Sequence, residues 1–172
     1  SSGSYIEDGD TQRKPVAEKN LRECIAAIQR KPEDANLYLS RSRANESLKN
    51  YDAAIEDLST AVRLDPQRSH FYLYLRHLLH LYRGSLHEAL QDIQHAVQVA
   101  PSEFNDYFKC LAYTHQQLGQ TDRAIGVLSE AVRIYPHSAN SYLRRAAFYE
   151  GIGLLKEAVS DVSEAIRIEP VL

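Results

Sequence analysis

The clearest pattern in the chain lies in the stretch ANSYLRRAAFYEGIGLLKEAVSDVSEAIRIEP, at residues 139–170. Ala158 and Ala165 are seven residues apart in this stretch, and Pro170 closes it. Two helical turns take about 7.2 residues, so both alanines lie on one helix face, where their small side chains let another helix approach closely. Proline does not continue a helix. The stretch therefore predicts a helix with one packed face that ends before Pro170.

The same pattern recurs along the whole chain at intervals of 34, 35, 35 and 34 residues. The recurring prolines are Pro32, Pro66, Pro101, Pro136 and Pro170. The recurring alanines form two columns: Ala54, Ala89, Ala124 and Ala158, then Ala61, Ala96, Ala131 and Ala165. A period of this length indicates stacked pairs of elements rather than one globular core.

Each unit is predicted to contain another helix, which precedes the helix that carries the two alanines. It has an aromatic residue near its start and, in three units, a small residue four positions later: Ser42, Ala112 and Ala146. Gly84, Gly119 and Gly153 fall where a short turn between antiparallel helices needs a left-handed conformation. The first unit has Lys49 there, with Asn50 as an alternative cap. The second unit is one residue longer than the 34-residue interval. Its small position falls on Arg76 or on His77, depending on where this extra residue lies.

With these motifs the chain resembles the tetratricopeptide repeat family, whose unit is two antiparallel helices of about 34 residues in total. The last unit follows the family's order through Tyr142, Arg145, Ala146, Tyr149, Gly153, Ala158, Val162, Ala165 and Pro170. The resemblance implies an all-α fold, a right-handed α-solenoid of antiparallel helix pairs. Full units are expected at 35–68, 69–103, 104–138 and 139–172, after a half unit at 16–34.

The two ends of the chain depart from this pattern. Residues 1–15 are polar without a helical period and are expected to be disordered, and their Ser-Ser-Gly-Ser start is typical of an expression scar. The repeats open on half a unit and stop without the polar capping helix that a solenoid needs. We therefore expect the chain to be a fragment of a longer protein.

The resemblance implies that the first helix of each unit lines a concave face that binds a segment of a partner protein. The candidate partner-binding residues are Arg43, His70, Tyr74, His77, Lys109, Tyr113 and Arg144. Aromatic and arginine side chains suit peptide capture. The aromatic residues are equally consistent with packing between helices, and the basic residues with ordinary solvated charges.

One known peptide site of the family can be checked on the sequence. Some members hold the acidic tails of chaperones through a carboxylate clamp of lysine, asparagine and arginine from three successive units. Of the corresponding positions here, only Arg144 matches. Chaperone-tail binding through this clamp is therefore not expected.

Other functional classes find little support. The sequence has no phosphate-binding loop and no Ser-His-Asp spacing, so we expect neither an enzyme nor a cofactor. A net charge of -3 argues against nucleic-acid binding. No apolar run is long enough for membrane insertion. Cys24 and Cys110 lie in unrelated positions, which favours a reducing, cytoplasmic location over a disulfide framework.

The roles of two sets of polar residues stay open: the histidines of the second unit and three recurring aspartates. Five of the seven histidines fall in the second unit, and His77 and His80 lie one turn apart, but no third ligand is near in sequence, so no metal site is predicted beyond this weak candidate pair. The recurring Asp57, Asp92 and Asp161 are either solvated or paired with arginine or lysine.

The sequence thus favours a non-catalytic protein-interaction scaffold. The alternative is a self-assembly module in which the terminal helix, expected at residues 155–169, pairs with another copy to form a homo-oligomer.

Overall fold

The computed structural model describes residues 7–100 and 105–171 of the chain. In these ranges the regular elements are helices, with a single 3₁₀ turn at Pro66–Arg68. The α-helices are α1 (Glu7–Arg30), α2 (Ala35–Ser47), α3 (Tyr51–Leu64), α4 (Ser69–Tyr82), α5 (Leu86–Val99), α6 (Asn105–Gln117), α7 (Thr121–Ile134), α8 (Ala139–Gly151) and α9 (Leu155–Ile168). Within the same ranges, none of these helices combines the length and apolar character that crossing a membrane requires.

The chain divides into two compact units, Ser1–Ser85 and Leu86–Leu172. In the first unit, α1 packs on α2, α2 on α3 and α3 on α4. In the second unit, α5 packs on α6, α6 on α7, α7 on α8 and α8 on α9. We call α2, α4, α6 and α8 the first helices and α3, α5, α7 and α9 the second helices. Packing between sequence neighbours is what a helical repeat predicts.

The two alanine columns lie in the core of each unit. All eight alanines are buried: Ala54, Ala61, Ala89, Ala96, Ala124, Ala131, Ala158 and Ala165. Of the larger residues between them, Leu58, Ile93 and Leu128 are buried, whereas Val162 of α9 is exposed. The alanine spacing therefore identified the packed face of each second helix correctly.

The turns between first and second helices contain the predicted left-handed residues. Gly84, Gly119 and Gly153 have φ angles of 75°, 73° and 82°. In the first repeat, residues 35–68, Lys49 takes this conformation with φ of 62°. Asn50 does not, since its φ is −86°. The geometry of the turn thus requires a left-handed residue at this one position, whatever side chain stands there.

The structure settles which residue of α4 stands at the small position. Arg76 donates a hydrogen bond from Nη1 to Ser59 Oγ at 2.7 Å, and Arg145 donates one from Nη1 to Ser129 Oγ at 3.1 Å. Ser59 and Ser129 are equivalent, because each follows the buried leucine of its column. Arg76 therefore corresponds to Arg145, and His77 to the small residue Ala146. The extra residue lies before this point, since α4 has 14 residues where α8 has 13.

The beginning of the chain differs from the prediction. Residues 7–15, expected to be disordered, form the first turns of α1, which runs through the predicted half unit to Arg30. The missing apolar period misled this expectation, because it predicts only a lack of burial and not a lack of helix. The helix forms although the stretch contains Gly9 and Pro15, which disfavour helices. Residues 1–6 and 101–104 lie outside the described residues.

Candidate binding site

The seven candidate partner-binding residues differ in how accessible they are. Arg43 and Lys109 are exposed, and Tyr113 has 48% of its surface exposed. His70, Tyr74 and Arg144 are half-buried. His77 is 0% exposed.

The expectation that His77 contacts a partner does not fit its position. It fills the small-residue position of α4, where the equivalent Ser42, Ala112 and Ala146 are also buried. The ring of Tyr74 stacks on it, with centroids 6.5 Å apart and planes 24° apart. His77 is therefore a packing residue, and it holds Tyr74 in place from within the unit.

The weak metal candidates do not come together with further ligands. His80 is half-buried, one turn after His77. In the part of the chain that the structure describes, no group of three histidine, cysteine, aspartate or glutamate side chains is placed to hold a metal ion.

A groove between α2 and α4 is a candidate surface of the first compact unit. It has a volume of about 680 Å³, and Arg43 lines it beside Leu75, Leu78 and Tyr82. Leu78 and Tyr82 are 40% and 71% exposed, although both are large apolar or aromatic side chains. We call this surface the α2–α4 groove. Neither His70 nor Tyr74 is among the residues that line it.

Sequence reasoning missed Leu75, Leu78 and Tyr82, although two signals point to them. They form one helix stripe together with Leu79, at spacings of three and four residues. Leu78 and Arg43 also lie equally far, six residues, before the left-handed residues Gly84 and Lys49. The turn residue is thus a better reference for these positions than the proline.

Contacts with α3 fix the end of α4 that carries Tyr82. Its ring lies 4.8 Å from that of Tyr51, centroid to centroid, at an angle of 43°. A hydrogen bond between the two hydroxyls raises the pKa of Tyr51. The guanidinium of Arg83 forms an ion pair with Asp52. Tyr82 therefore presents exposed area from a held position, which lowers the entropy lost when a partner binds.

In the second unit, a polar cluster joins α6 and α8. Arg144 forms an ion pair with Asp106, and its Nε–H donates to Asn140 Oδ1 at 3.2 Å. Burial raises the pKa of the Cys110 thiol, and Asp106 raises it further, whereas Lys109 and Arg144 lower it. The charges of Lys109, Asp106 and Arg144 therefore all act on the thiol of Cys110. A carboxylate ligand of Arg144 would have to compete with Asp106.

Buried arginine–aspartate pairs support the helix pairs from inside. Asp57 accepts hydrogen bonds from Arg41 Nε and Nη2, at 3.0 and 2.6 Å, and Asp161 accepts the equivalent bonds from Arg145 at 2.7 and 2.8 Å. Asp57 and Asp161 are 2% and 5% exposed. For Asp57 and Asp161, pairing with arginine is therefore confirmed and solvation is wrong. Asp92 is buried as well, at 4% exposure. Arg41 and Arg145 join the two helices of a pair through their ion pairs.

Comparison with known proteins identifies the fold. A sequence model described as tetratricopeptide repeat matches residues 12–69 and 111–170, more than half of the chain. None of the curated proteins matches the chain.

Several solved structures are similar to the chain. MamA matches with a TM-score of 0.70 at 22% identity, over 98% of this chain and 96% of MamA. MamA from Desulfovibrio magneticus RS-1 matches with a TM-score of 0.67 at 15% identity, over 95% of this chain and 96% of that one. YrrB, described as a TPR protein with an unusual peptide-binding site, matches with a TM-score of 0.62 at 21% identity, over 86% of this chain and 75% of YrrB.

These likenesses, together with the helix pairs described above, confirm the predicted all-α solenoid fold. The repeated match to the family model settles the affiliation, and the chain belongs to the tetratricopeptide repeat family.

Proposed function

We propose that the chain is a non-catalytic interaction module that binds a helix or an extended segment of a partner protein in the α2–α4 groove. Proteins of the tetratricopeptide repeat family generally serve as protein-interaction scaffolds. The observation that carries the proposal for this chain is the groove itself, with two large side chains exposed beside an arginine.

The chemistry of the groove suits a peptide ligand. Covering Leu78 and Tyr82 would remove apolar area from water, and this gain is roughly 25 cal/mol per Å². Arg43 adds hydrogen-bond donors for carboxylates or backbone carbonyls. Aromatic and arginine side chains carry a large share of the binding energy in many protein interfaces. Glu46 also lines the groove and offsets the charge of Arg43, so a partner segment with an apolar residue next to a polar one, without a net charge, would match this arrangement.

The second unit offers an equivalent position. Tyr113 lies six residues before Gly119, as Leu78 lies before Gly84, and it is likewise exposed. Lys109 precedes it by one helical turn. We keep Lys109, Tyr113 and Arg144 as candidate contacts on this unit, and His70 and Tyr74 as candidate contacts on α4.

The test uses a displayed library of random peptides selected on the immobilised chain. The affinity of enriched peptides is then measured for the unchanged chain and for Leu78→Asp, which puts a charge on the exposed wall of the groove. We expect binding at least tenfold weaker in Leu78→Asp. Ile25→Asp is the matched control and should bind within about twofold of the unchanged chain, because Ile25 is 42% exposed, close to the 40% of Leu78, and does not line the groove.

Two results would reject this function. One is a selection that enriches no binding peptide. The other is an enriched peptide that binds Leu78→Asp as well as the unchanged chain, while circular dichroism shows the same helical content for both.

The alternative function is self-assembly through α9. This helix exposes a stripe of apolar residues at spacings of four, three and four: Leu155, Val159, Val162 and Ile166. A stripe of this kind is typical of a helix that pairs with another helix. Sedimentation velocity over a range of concentrations distinguishes the two functions, since a monomer at every concentration would exclude self-assembly.

The cysteines support a proposal for the compartment. Cys24 and Cys110 are both free thiols. Free thiols are in keeping with a reducing compartment, and we propose the cytoplasm.

A further inference from the structure

The first unit has a second and larger groove, between α1 and α2. Its volume is about 1170 Å³. Its floor consists mainly of small and aliphatic side chains, among them Ala17, Ala27, Leu37, Ala44 and Leu48. We call this surface the α1–α2 groove. It shares Arg43 and Ser47 with the α2–α4 groove, and otherwise its lining is separate.

The repeat pattern indicates what kind of element fits this groove. Aligned on Pro32 and Pro66, the residues Asn20, Cys24 and Ala27 of α1 correspond to Ala54, Leu58 and Ala61 of α3. In α3 these residues are buried, and the adjoining helix α2 bonds to this helix directly, since the hydroxyl of Ser42 donates to the carbonyl of Ala54 at 3.0 Å.

In α1 the same face opens into the groove instead. Asn20 is exposed and Cys24 is half-buried, and both line the α1–α2 groove with Ala27. Within residues 7–100, the position that a first helix occupies in a complete helix pair is therefore an accessible groove. In the other helix pairs a helix occupies this position, for example α2 against α3. A helix with one apolar stripe therefore suits the groove.

The charges around the groove indicate the chemistry of that helix. Four cationic side chains line it, Arg13, Lys14, Arg43 and Lys49, against one carboxylate, Glu23. Glu23 also lies 3.8 Å from the ammonium of Lys19, which offsets part of its charge. This positive excess stands out in a chain whose net charge is -3. Complementary charge favours an acidic ligand and suppresses a basic one.

We propose that the α1–α2 groove binds an acidic amphipathic helix of a partner protein, with its apolar stripe on the groove floor and its carboxylates toward the four cations. This site is additional to the α2–α4 groove and does not depend on it. The ligand takes the position of a first helix against α1.

The binding test uses the full 172-residue chain and a defined probe. The probe is a fluorescein-labelled, hydrocarbon-stapled helix of roughly 14 residues, long enough for about four turns. It carries leucine or alanine on one stripe and glutamate elsewhere, and a matched probe carries lysine in place of glutamate. Fluorescence anisotropy should show binding of the glutamate probe and at least tenfold weaker binding of the lysine probe.

Charge reversal in the chain locates the site. The double variant Arg13→Glu with Lys14→Glu should weaken the glutamate probe about tenfold or more. The control is Arg22→Glu with Arg30→Glu, which reverses two exposed charges on the same helix outside the groove lining and should leave affinity within about twofold. Leu78→Asp should also leave the affinity for the glutamate probe unchanged. The proposal for the α1–α2 groove can therefore be rejected separately from the proposal for the α2–α4 groove.

The two cysteines give an independent readout of position. Cys24 lines the α1–α2 groove and Cys110 does not, so Cys110 serves as an internal reference. Alkylation by iodoacetamide at alkaline pH should slow several-fold at Cys24 when the glutamate probe is bound, with Cys110 unaffected.

Several outcomes would overturn the proposal. They are no binding of the glutamate probe, equal binding of the lysine probe, undiminished binding to the Arg13→Glu and Lys14→Glu variant, and unchanged alkylation of Cys24. If the chain alone forms a dimer that this variant dissociates, the occupant is a second copy of the chain, and the assignment to a partner's helix is wrong.

Discussion

Lys49 holds a backbone conformation that suits glycine. Its φ of 62° lies in the left-handed region, where an L side chain costs about 1–2 kcal/mol. The other three turns of this type have glycine at that position. The turn at Lys49 therefore carries backbone strain that the turns at Gly84, Gly119 and Gly153 avoid.

Replacing this lysine should stabilise the protein. We expect Lys49→Gly to raise the free energy of unfolding by about 0.5–1 kcal/mol, because the relief of strain exceeds glycine's greater loss of entropy. Urea denaturation followed by circular dichroism measures the change. A decrease on Lys49→Gly would show that the side chain of Lys49 contributes more than its backbone conformation costs.

Two glycine variants are matched controls for the backbone effect. Neither Gly84 nor Gly126 has a neighbour within 4 Å of an added Cβ, but only Gly84 has positive φ, at 75°. Gly84→Ala should therefore lower the free energy of unfolding by about 1 kcal/mol, whereas Gly126→Ala, within α7, should raise it by a similar amount.

Two ion pairs of the first unit differ in burial and should differ in energy. The side chain of Asp57 is 3% exposed and bonds to Arg41 and Asn45, whereas that of Asp52 is 86% exposed in its pair with Arg83. We expect Asp57→Ala to cost about 2–4 kcal/mol of unfolding free energy, since it leaves Arg41 without its counter-charge. Asp52→Ala should cost less than about 1 kcal/mol. Equal losses in thermal or urea unfolding would contradict this ranking.

At the level of helices, sequence and structure agree where spacing alone decides. The alanine columns and the left-handed turns follow from helical geometry within one unit, so they could be predicted. The position of Leu78 could not be read from the proline period, because one extra residue turns a helix by about 100° and moves every later side chain to another face. For the same reason His77 was placed on a surface when it lies inside.

Grooves were harder to predict than helices. The α1–α2 groove depends on which helix faces are left uncovered, and the repeat pattern describes only the faces that are covered. The ion pair of Arg144 with Asp106 joins residues 38 positions apart in sequence, and nothing in the repeat marks that pair.

The apolar stripe of α9 gives a prediction at this scale. If α9 mediates self-assembly, the variant Val159→Glu with Ile166→Glu should shift the chain to a monomer, because two charges would enter the helix–helix contact. Both side chains are at least half exposed in the single chain, at 65% and 50%, so helical content should stay unchanged. Sedimentation equilibrium is the measurement, and Leu78→Asp is the control that should keep the oligomer.

At the level of the whole molecule, the candidate surfaces are made by different helix pairs. In the first unit, α2 contributes to two grooves, and Arg43 lines both. A ligand in one groove therefore shares a cation with a ligand in the other. We expect competition between two acidic ligands and little effect between an acidic and an uncharged one.

Packing between sequence neighbours also determines how the protein responds to pulling. Within each unit, a helix is held mainly by the helices that precede and follow it in sequence. A load applied to the ends of a unit would therefore detach its helices one after another, starting at an end. The expected force–extension curve has several small steps rather than one rupture, as in an elastic element that stretches and recoils.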